Sequence, residues 1–439
     1  MGNLQLHAER SPASVAWWRE WWAQARTSLA WMVAVAFVLR MAVVVLAQTY
    51  KFGASDDYFA FGWEMGRIAR AVATGHGYGD PFRGHTGPSA WVAPLYTYLV
   101  VAAFKLFGVY SSAAGFAVLT MNSAFSALTC IPVYRLARRC FGEKVAVGSG
   151  WTYALVPYVI YWATFIVWET TLSALLFTWL MVLTLELPEK DGWRPWLQFG
   201  LLWGLTGLSS PVLLLVLPAS GLWVWYHRAR VGKRSLGGVA VSALIFVACM
   251  APWVLRNYVT FHKFWVRSNF GAELRLGNGP NADGTIMEYL HPVVSDYAYH
   301  QYAAMGELAY VEERKQEAVA WIKANPGFFL ELCGRRIVYF WTGAPRRSVF
   351  PGDVALKNLA YFSSSIGALW GLGRAIRKRK PGAWMMFLAF LFYPLIYYVV
   401  FTTSRFRCQL DPMIIILCVY LVNEAEPGPA FWWTRKRQA

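Results

Sequence analysis

Long apolar runs alternate with short basic clusters along this chain, and the alternation sets the first expectation. A helix that crosses a bilayer needs about 20 mostly apolar residues. Stretches of that kind fall at Leu29–Leu46 and at roughly 112–134, 145–163, 168–187, 195–209, 211–226, 237–256, 354–372, 383–401 and 408–423. The pattern predicts an all-α polytopic membrane protein with about ten transmembrane helices. The two runs within 195–226 are short and interrupted by Ser209-Ser210-Pro211, so a single irregular hairpin is the alternative there. Arg10, Arg19 and Arg26 precede the first run, which is longer than a signal-peptide core and lacks a small-residue cleavage site. It therefore reads as an uncleaved first membrane helix. Ahead of it, Trp17, Trp18, Trp21 and Trp22 recur at the spacing of a helix lying in the membrane interface.

Orientation follows from the basic clusters, which favour the cytoplasmic side. Arg135/Arg138/Arg139/Lys144, Arg228/Arg230/Lys233/Arg234, Arg374/Arg377/Lys378/Arg379/Lys380 and Arg435/Lys436/Arg437 are expected inside, together with both termini. Parity then requires that Pro94–Phe107 lie along the outer surface rather than cross. Two large extracytoplasmic loops result, 49–111 and 257–353. The expected division is a cytoplasmic interfacial segment 1–28, a seven-helix transmembrane catalytic module 29–256 that includes the first outer loop, an extracytoplasmic loop subdomain 257–353, and C-terminal transmembrane helices with a basic tail, 354–439.

Composition agrees. Hydrophobic residues make up 57% of the 439 and charged residues only 15%, against about 25% charged in ordinary soluble chains. The net charge of +17 would suggest nucleic acid in a soluble protein, but here it reflects topology, and nucleic acid is excluded as a partner. The six cysteines show no CxxC spacing and the seven histidines no HxxxH pattern, so neither a disulfide framework nor a zinc site is indicated.

Candidate chemistry sits at the outer ends of the helices. Asp56 and Asp57 are the first outward carboxylates, followed by Glu64. On a continuous helix over 57–73, Asp57 and Glu64 would be about 700° apart and within about 20° of one face. Two such acids can act as a general base and a second carboxylate that positions it; the competing reading is a helix cap and a surface pair with Arg67 or Arg70. Glu169 is the sole charge between Lys144 and Glu186, in an outward hairpin, where a lone carboxylate is expected to face a partner or a cavity. Arg40, inside the first apolar run, must pair or snorkel. Near the last outward turn, Arg405 and Arg407 break the positive-inside trend. Their guanidinium groups suit phosphate, or lipid headgroups. Lys263 and Arg267 add positive charge at the start of the second outer loop.

Several sequence pieces point further. They are the acidic start Asp56-Asp57, Ile68-Ala69-Arg70-Ala71-Val72-Ala73-Thr74-Gly75-His76-Gly77-Tyr78, Pro94-Leu95-Tyr96 leading to Lys105-Leu106-Phe107-Gly108, Tyr134-Arg135-Leu136-Ala137-Arg138-Arg139-Cys140-Phe141-Gly142, Arg256-Asn257-Tyr258, Gly277-Asn278, and Ser404-Arg405-Phe406-Arg407 with Asp411-Pro412. In their order and spacing the chain resembles the integral-membrane C-type (GT-C) glycosyltransferases, in the protein-mannosyltransferase-like branch that includes the aminoarabinose transferases of lipid A. The resemblance implies inverting transfer of a sugar from a polyprenyl-phosphate donor to a lipid, glycan or protein acceptor on the outer face of the cell (inner) membrane. It implies a carboxylate base in the first outer loop, Asp57 or Asp56. Glu64 is the alternative, because Phe61-Gly62-Trp63-Glu64 occupies the spacing before the Gly-His-Gly-Tyr turn. It also implies a second acid at Glu169 and donor-phosphate binding by Arg405 or Arg407. No cofactor is expected; a divalent metal is left open. The alternative from another class is a transporter or flippase for a lipid-linked or anionic solute. Acids and arginines converging on one outer-face cavity favour transfer, whereas a polar path through the bilayer midplane favours transport.

Overall fold

The structure, a computed structural model, describes residues 27–52, 61–233, 235–345 and 354–425. The tryptophan-rich segment at 17–22, Asp56, Asp57 and the basic cluster at 435–437 lie outside the described residues. Among the described residues the chain is helical throughout; the sole β feature is an isolated antiparallel bridge, Gly79 to Pro88.

The apolar runs form helices. In chain order they are α1 (Leu29–Leu46), α2 (Glu64–Ala73), α3 (Pro94–Phe107), α4 (Ser112–Leu128), α5 (Cys130–Phe141), α6 (Glu143–Leu155), α7 (Pro157–Thr164), α8 (Thr170–Glu186), α9 (Arg194–Ser209), α10 (Leu217–Arg230) and α11 (Leu236–Phe261). The second outer segment holds α12 (Phe270–Gly277), α13 (Asp296–Met305), α14 (Glu307–Ala324) and α15 (Pro326–Thr342), and the C-terminal part α16 (Val354–Arg377), α17 (Ala383–Phe392), α18 (Leu395–Val399) and α19 (Asp411–Ala425). Leu29–Leu46, Ser112–Phe141, Pro211–Arg230 and Leu236–Phe261 are each long and apolar enough to span a bilayer. Others are interrupted where proline removes a backbone donor: at Pro157 between α6 and α7, at Pro211 between α9 and a 3-10 turn, and at Pro394 between α17 and α18. The expected break at Ser209-Ser210-Pro211 is therefore present.

One expected element is different. The helix carrying Glu64 begins at Glu64, not near Asp57, because Gly62 and Trp63 both take left-handed backbone conformations, with φ of 84° and 50°. A right-handed helix cannot run through such residues, so the continuous face shared by Asp57 and Glu64 does not exist.

Two apolar cores hold the molecule together. One joins α1, α5, α8, α9 and α19 through residues such as Met32, Leu136, Phe177, Trp203 and Leu417. The other gathers the outer loops around α3, through Phe61, Ile68, Trp91, Tyr96 and Tyr302. Arg40 is buried within the first membrane helix and pairs structurally: its guanidinium donates to Ser126 Oγ at 2.9 Å, to the carbonyls of Ala36 at 2.9 Å and Ala154 at 3.0 Å, and to that of Tyr153 at 3.4 Å. That spreads the charge over carbonyl dipoles and ties α1 to α4 and α6.

The two outer loops are fastened by a buried carboxylate. Glu307 accepts from Ser89 Oγ at 2.5 Å, the Ala90 N–H at 2.7 Å, Ser268 Oγ at 2.6 Å and Tyr302 Oη at 2.9 Å. Arg256, at the outer end of α11, adds bonds to the carbonyls of Ser89 at 2.7 Å and Tyr78 at 2.5 Å.

Candidate active site

At the ends of several of these helices lies a cavity of about 490 Å³. Pieces that are distant in sequence wall it, among them the start of α2, the hairpin before α8, the segment around α12 through His291, and the turn at 401–405.

The first piece presents Glu64. Gly62 lies against the Val167 carbonyl so closely that a β-carbon there would overlap it. That approach, with the positive φ, requires glycine. It seats Glu64 beside the Ile166–Glu169 stretch, which Asn122 holds by donating from Nδ2 to the Ile166 carbonyl at 3.1 Å. Asn122 is itself fixed by hydroxyl donors from Tyr96 at 2.7 Å and Thr171 at 3.2 Å. The hairpin carries Trp168 and half-buried Glu169 to the same cavity.

The fourth piece presents Arg405. Its guanidinium stacks on the Trp168 ring at 3.8 Å from the centroid. The turn that carries it is held by hydroxyls of Tyr158 at 2.8 Å and Tyr361 at 2.9 Å on the Ser404 carbonyl. Below it, Arg336 is buried and donates to the Val399 carbonyl at 2.8 Å, the Gly277 carbonyl at 2.5 Å and Asn278 Oδ1 at 3.1 Å. Gly277 touches the Val400 carbonyl so closely that no side chain fits. The Gly277-Asn278 pair is thus what brings the second outer loop onto the strand-like segment leading to Arg405.

Arg267 also lines the cavity and is oriented by a bond from Nε to the Trp91 carbonyl at 3.0 Å. Glu273, His291, Glu288 and Lys357 also belong to the charged lining. Glu64 and His291 are both buried, and His291 Nε2 lies 3.1 Å from Glu64 Oε1. Burial opposes ionisation of Glu64. The hydrogen bond from His291, the amide at the helix start and the charge of Arg405 act against burial, and the carboxyl sits below its ordinary value. Glu273, which accepts from Asn269 Nδ2 at 2.6 Å, goes the other way. There burial prevails over the charges of Arg267 and Arg405, Glu64 adds repulsion, and the carboxyl is raised. Two carboxylates in one cavity are pushed apart in acidity, the arrangement by which sites hold one acid ionised and another ready to protonate.

Of the residues singled out from sequence, Glu64, Glu169, Arg267 and Arg405 meet in this cavity. Arg407 does not. It is buried behind the turn, donating to Asp411 Oδ1 at 3.1 Å, the Tyr361 carbonyl at 3.1 Å, Ser365 Oγ at 3.0 Å and Ser364 Oγ at 3.1 Å. Lys263 is exposed and outside the cavity lining. Sequence reasoning missed Glu273 and His291; the Gly277-Asn278 motif was the nearby signal, since it closes the helix that bears Glu273. Among the described residues no group of three or more His, Cys, Asp or Glu is arranged to hold a metal ion.

Residues 91–255 match the family model described as dolichyl-phosphate-mannose-protein mannosyltransferase. The archaeal oligosaccharyltransferase AglB from Archaeoglobus fulgidus, in complex with an inhibitory peptide and a dolichol-phosphate, is similar in structure, with a TM-score of 0.51 at 14% identity over 90% of this chain and 50% of that one. This chain has the GT-C fold. The apo form of the same oligosaccharyltransferase gives a TM-score of 0.51 at 12% identity, again over 90% and 50%. ArnT from Cupriavidus metallidurans bound to undecaprenyl phosphate gives 0.36 at 13% identity, over 88% of this chain and 77% of that one. The GT-C chain therefore spans about half the length of the archaeal oligosaccharyltransferase it matches. No curated protein sequence matches it.

Proposed function

We propose that this GT-C chain is an inverting glycosyltransferase that uses a polyprenyl-phosphate sugar at the extracytoplasmic face of the membrane. The observation that carries the reading is the convergence of Glu64, Glu169, Arg267 and Arg405 on one cavity, set on a fold shared with a transferase bound to a dolichol-phosphate.

The chemistry needs little from the protein. The acceptor hydroxyl attacks the anomeric carbon, its proton passes to a carboxylate, and the bond from that carbon to the phosphate oxygen breaks with its electron pair leaving on the phosphate. A single displacement inverts the centre. Glu64, ionised and within the cavity, takes the proton in this scheme, while Arg405 and Arg267 offer planar donor sets to the departing phosphate. Asp56 and Asp57 are the other candidates for the base. Tyr161, Trp162 and Phe165 form an apolar side of the cavity, suited to the first units of a prenyl chain. The convergence of acids with arginines favours transfer over the transporter alternative.

The test is transfer from synthetic polyprenyl-phosphate mannose in separate preparations of Glu64→Gln, Asp57→Asn and Asp56→Asn. Loss of a general base lowers the rate by about 10²–10⁴, and one of the three should show it with its fold intact. Near-normal turnover in all three removes the first outer loop from the mechanism.

A further inference from the structure

We propose that His291 is the positioning residue of the Glu64 base, an imidazole that fixes one carboxylate oxygen and leaves the other for the acceptor hydroxyl. The proposal rests on the transferase reading above and adds to it a residue from the second outer loop.

The histidine's tautomer follows from its neighbours. Its Nδ1 lies 3.2 Å from the Val293 backbone nitrogen. A backbone amide can only donate, so Nδ1 accepts and carries no proton. In the neutral ring the proton is then on Nε2, which lies 3.1 Å from Glu64 Oε1 and donates to it. The ring is also held in place from the sides. Trp63, Phe82 and Trp91 approach it near edge-on, with centroid separations of 5.8, 5.9 and 6.2 Å. With both nitrogens engaged and three aromatic rings around it, His291 has no donor left for a substrate. Its effect passes through Glu64.

That effect is geometric and electrostatic. A carboxylate held at one oxygen cannot swing away from the reacting hydroxyl, and misplacement of a base by about 1 Å can cost on the order of 10²-fold in rate. The groups that face Glu64 also set its ionisation: His291 from the second loop, Arg405 from the turn at 404–407, and Glu273 from α12, with Arg267 beside Glu273 and with Glu169, Glu288 and, from α16, Lys357 elsewhere on the cavity wall. After burial, the hydrogen bond from His291 exerts the largest influence on Glu64, and it favours the carboxylate. The ionised base is present above the depressed folded value and lost as pH falls through it. Removing His291 therefore moves that loss to higher pH.

Full-length protein in lipid nanodiscs carries the experiment, with His291→Phe removing the donor while keeping a ring and His291→Gln offering an amide N–H in its place. Infrared difference titration, with Glu64→Gln as the reference, reads protonation of the Glu64 carboxyl without any substrate. The pH profile of kcat/KM with synthetic polyprenyl-phosphate mannose reads its consequence. In His291→Phe the infrared midpoint should rise by roughly one pH unit, the acid limb should move the same way, and kcat should fall at least about tenfold with KM for the donor unchanged. His291→Gln should recover part of each. If His291→Phe does not fold, His291→Asn, whose amide is too short to reach, takes its place against His291→Gln. An unmoved infrared midpoint in a folded variant overturns the positioning role while Glu64→Gln remains inactive and the transferase reading stands. Full turnover in Glu64→Gln overturns Glu64 as the base, and the proposal with it.

Discussion

Arg405 and Arg407 are two positions apart and carry the same group, yet the structure gives them different work. Arg405 reaches the cavity with its face on Trp168. Arg407 is enclosed with Asp411 and three polar partners. Arg405→Gln should weaken binding of a polyprenyl-phosphate probe by tenfold or more, roughly 1.4 kcal/mol or above, with the melting temperature in detergent unchanged. Arg407→Met should do the reverse, because removing one partner of a buried pair costs about 3–5 kcal/mol and leaves Asp411 uncompensated; thermal unfolding will register it before any binding assay does. Sequence alone could not separate the two. Both read from the sequence as candidate phosphate ligands, but which one reaches the cavity depends on the 3-10 turn Ser404–Arg407 and on α16 and α19 closing over Arg407.

At the level of elements, the outer loops act as one unit because Glu307, at the start of α14, gathers four donors from three segments. Glu307→Ala should leave those donors without their acceptor, each at about 1–3 kcal/mol, and should expose the loops to limited proteolysis while α1 and α11 stay protected. The same residue gives a pH dependence. Burial raises its carboxyl above the ordinary value despite the donors from Ser268, Ser89, Ala90 and Tyr302. Its contribution to stability is therefore full below the unfolded value and declines as pH rises through the folded one. Unfolding curves of Glu307→Gln should show less of that decline than those of wild type, the remainder belonging to Glu273, whose carboxyl is raised as well. Little of this was legible beforehand: nothing in the local sequence marks Glu307, and the clamp is made with Ser89 and Ala90, more than two hundred residues away in sequence, and spacing carries no information about such partners.

For the whole molecule, the arrangement of basic clusters still makes a direct topological prediction. Cysteines introduced by His85→Cys and Asn281→Cys, both exposed positions on the two outer loops, should react with an impermeant thiol reagent from outside. Those introduced by Val231→Cys and Lys378→Cys should react only from the cytoplasm. Labelling of position 231 from outside overturns the parity argument and with it the outer-face location of the cavity.

What the sequence determined by itself is the part of the fold fixed by short-range chemistry. Apolar length sets where helices form, proline sets where they break, and both are local properties of the chain. The helix at Pro94–Phe107 and the interruption at Ser209-Ser210-Pro211 were legible for that reason. Tertiary structure decided the rest. It ended the Glu64 helix at two left-handed residues, turned Arg407 into the interior, gave Arg40 carbonyl partners from α6, and set His291 and Glu273 against Glu64. These outcomes depend on close approaches such as Gly62 to Val167 and Gly277 to Val400, where helices far apart in sequence must pack without gaps, and the energy of that packing is a property of the assembled bundle rather than of any segment in it.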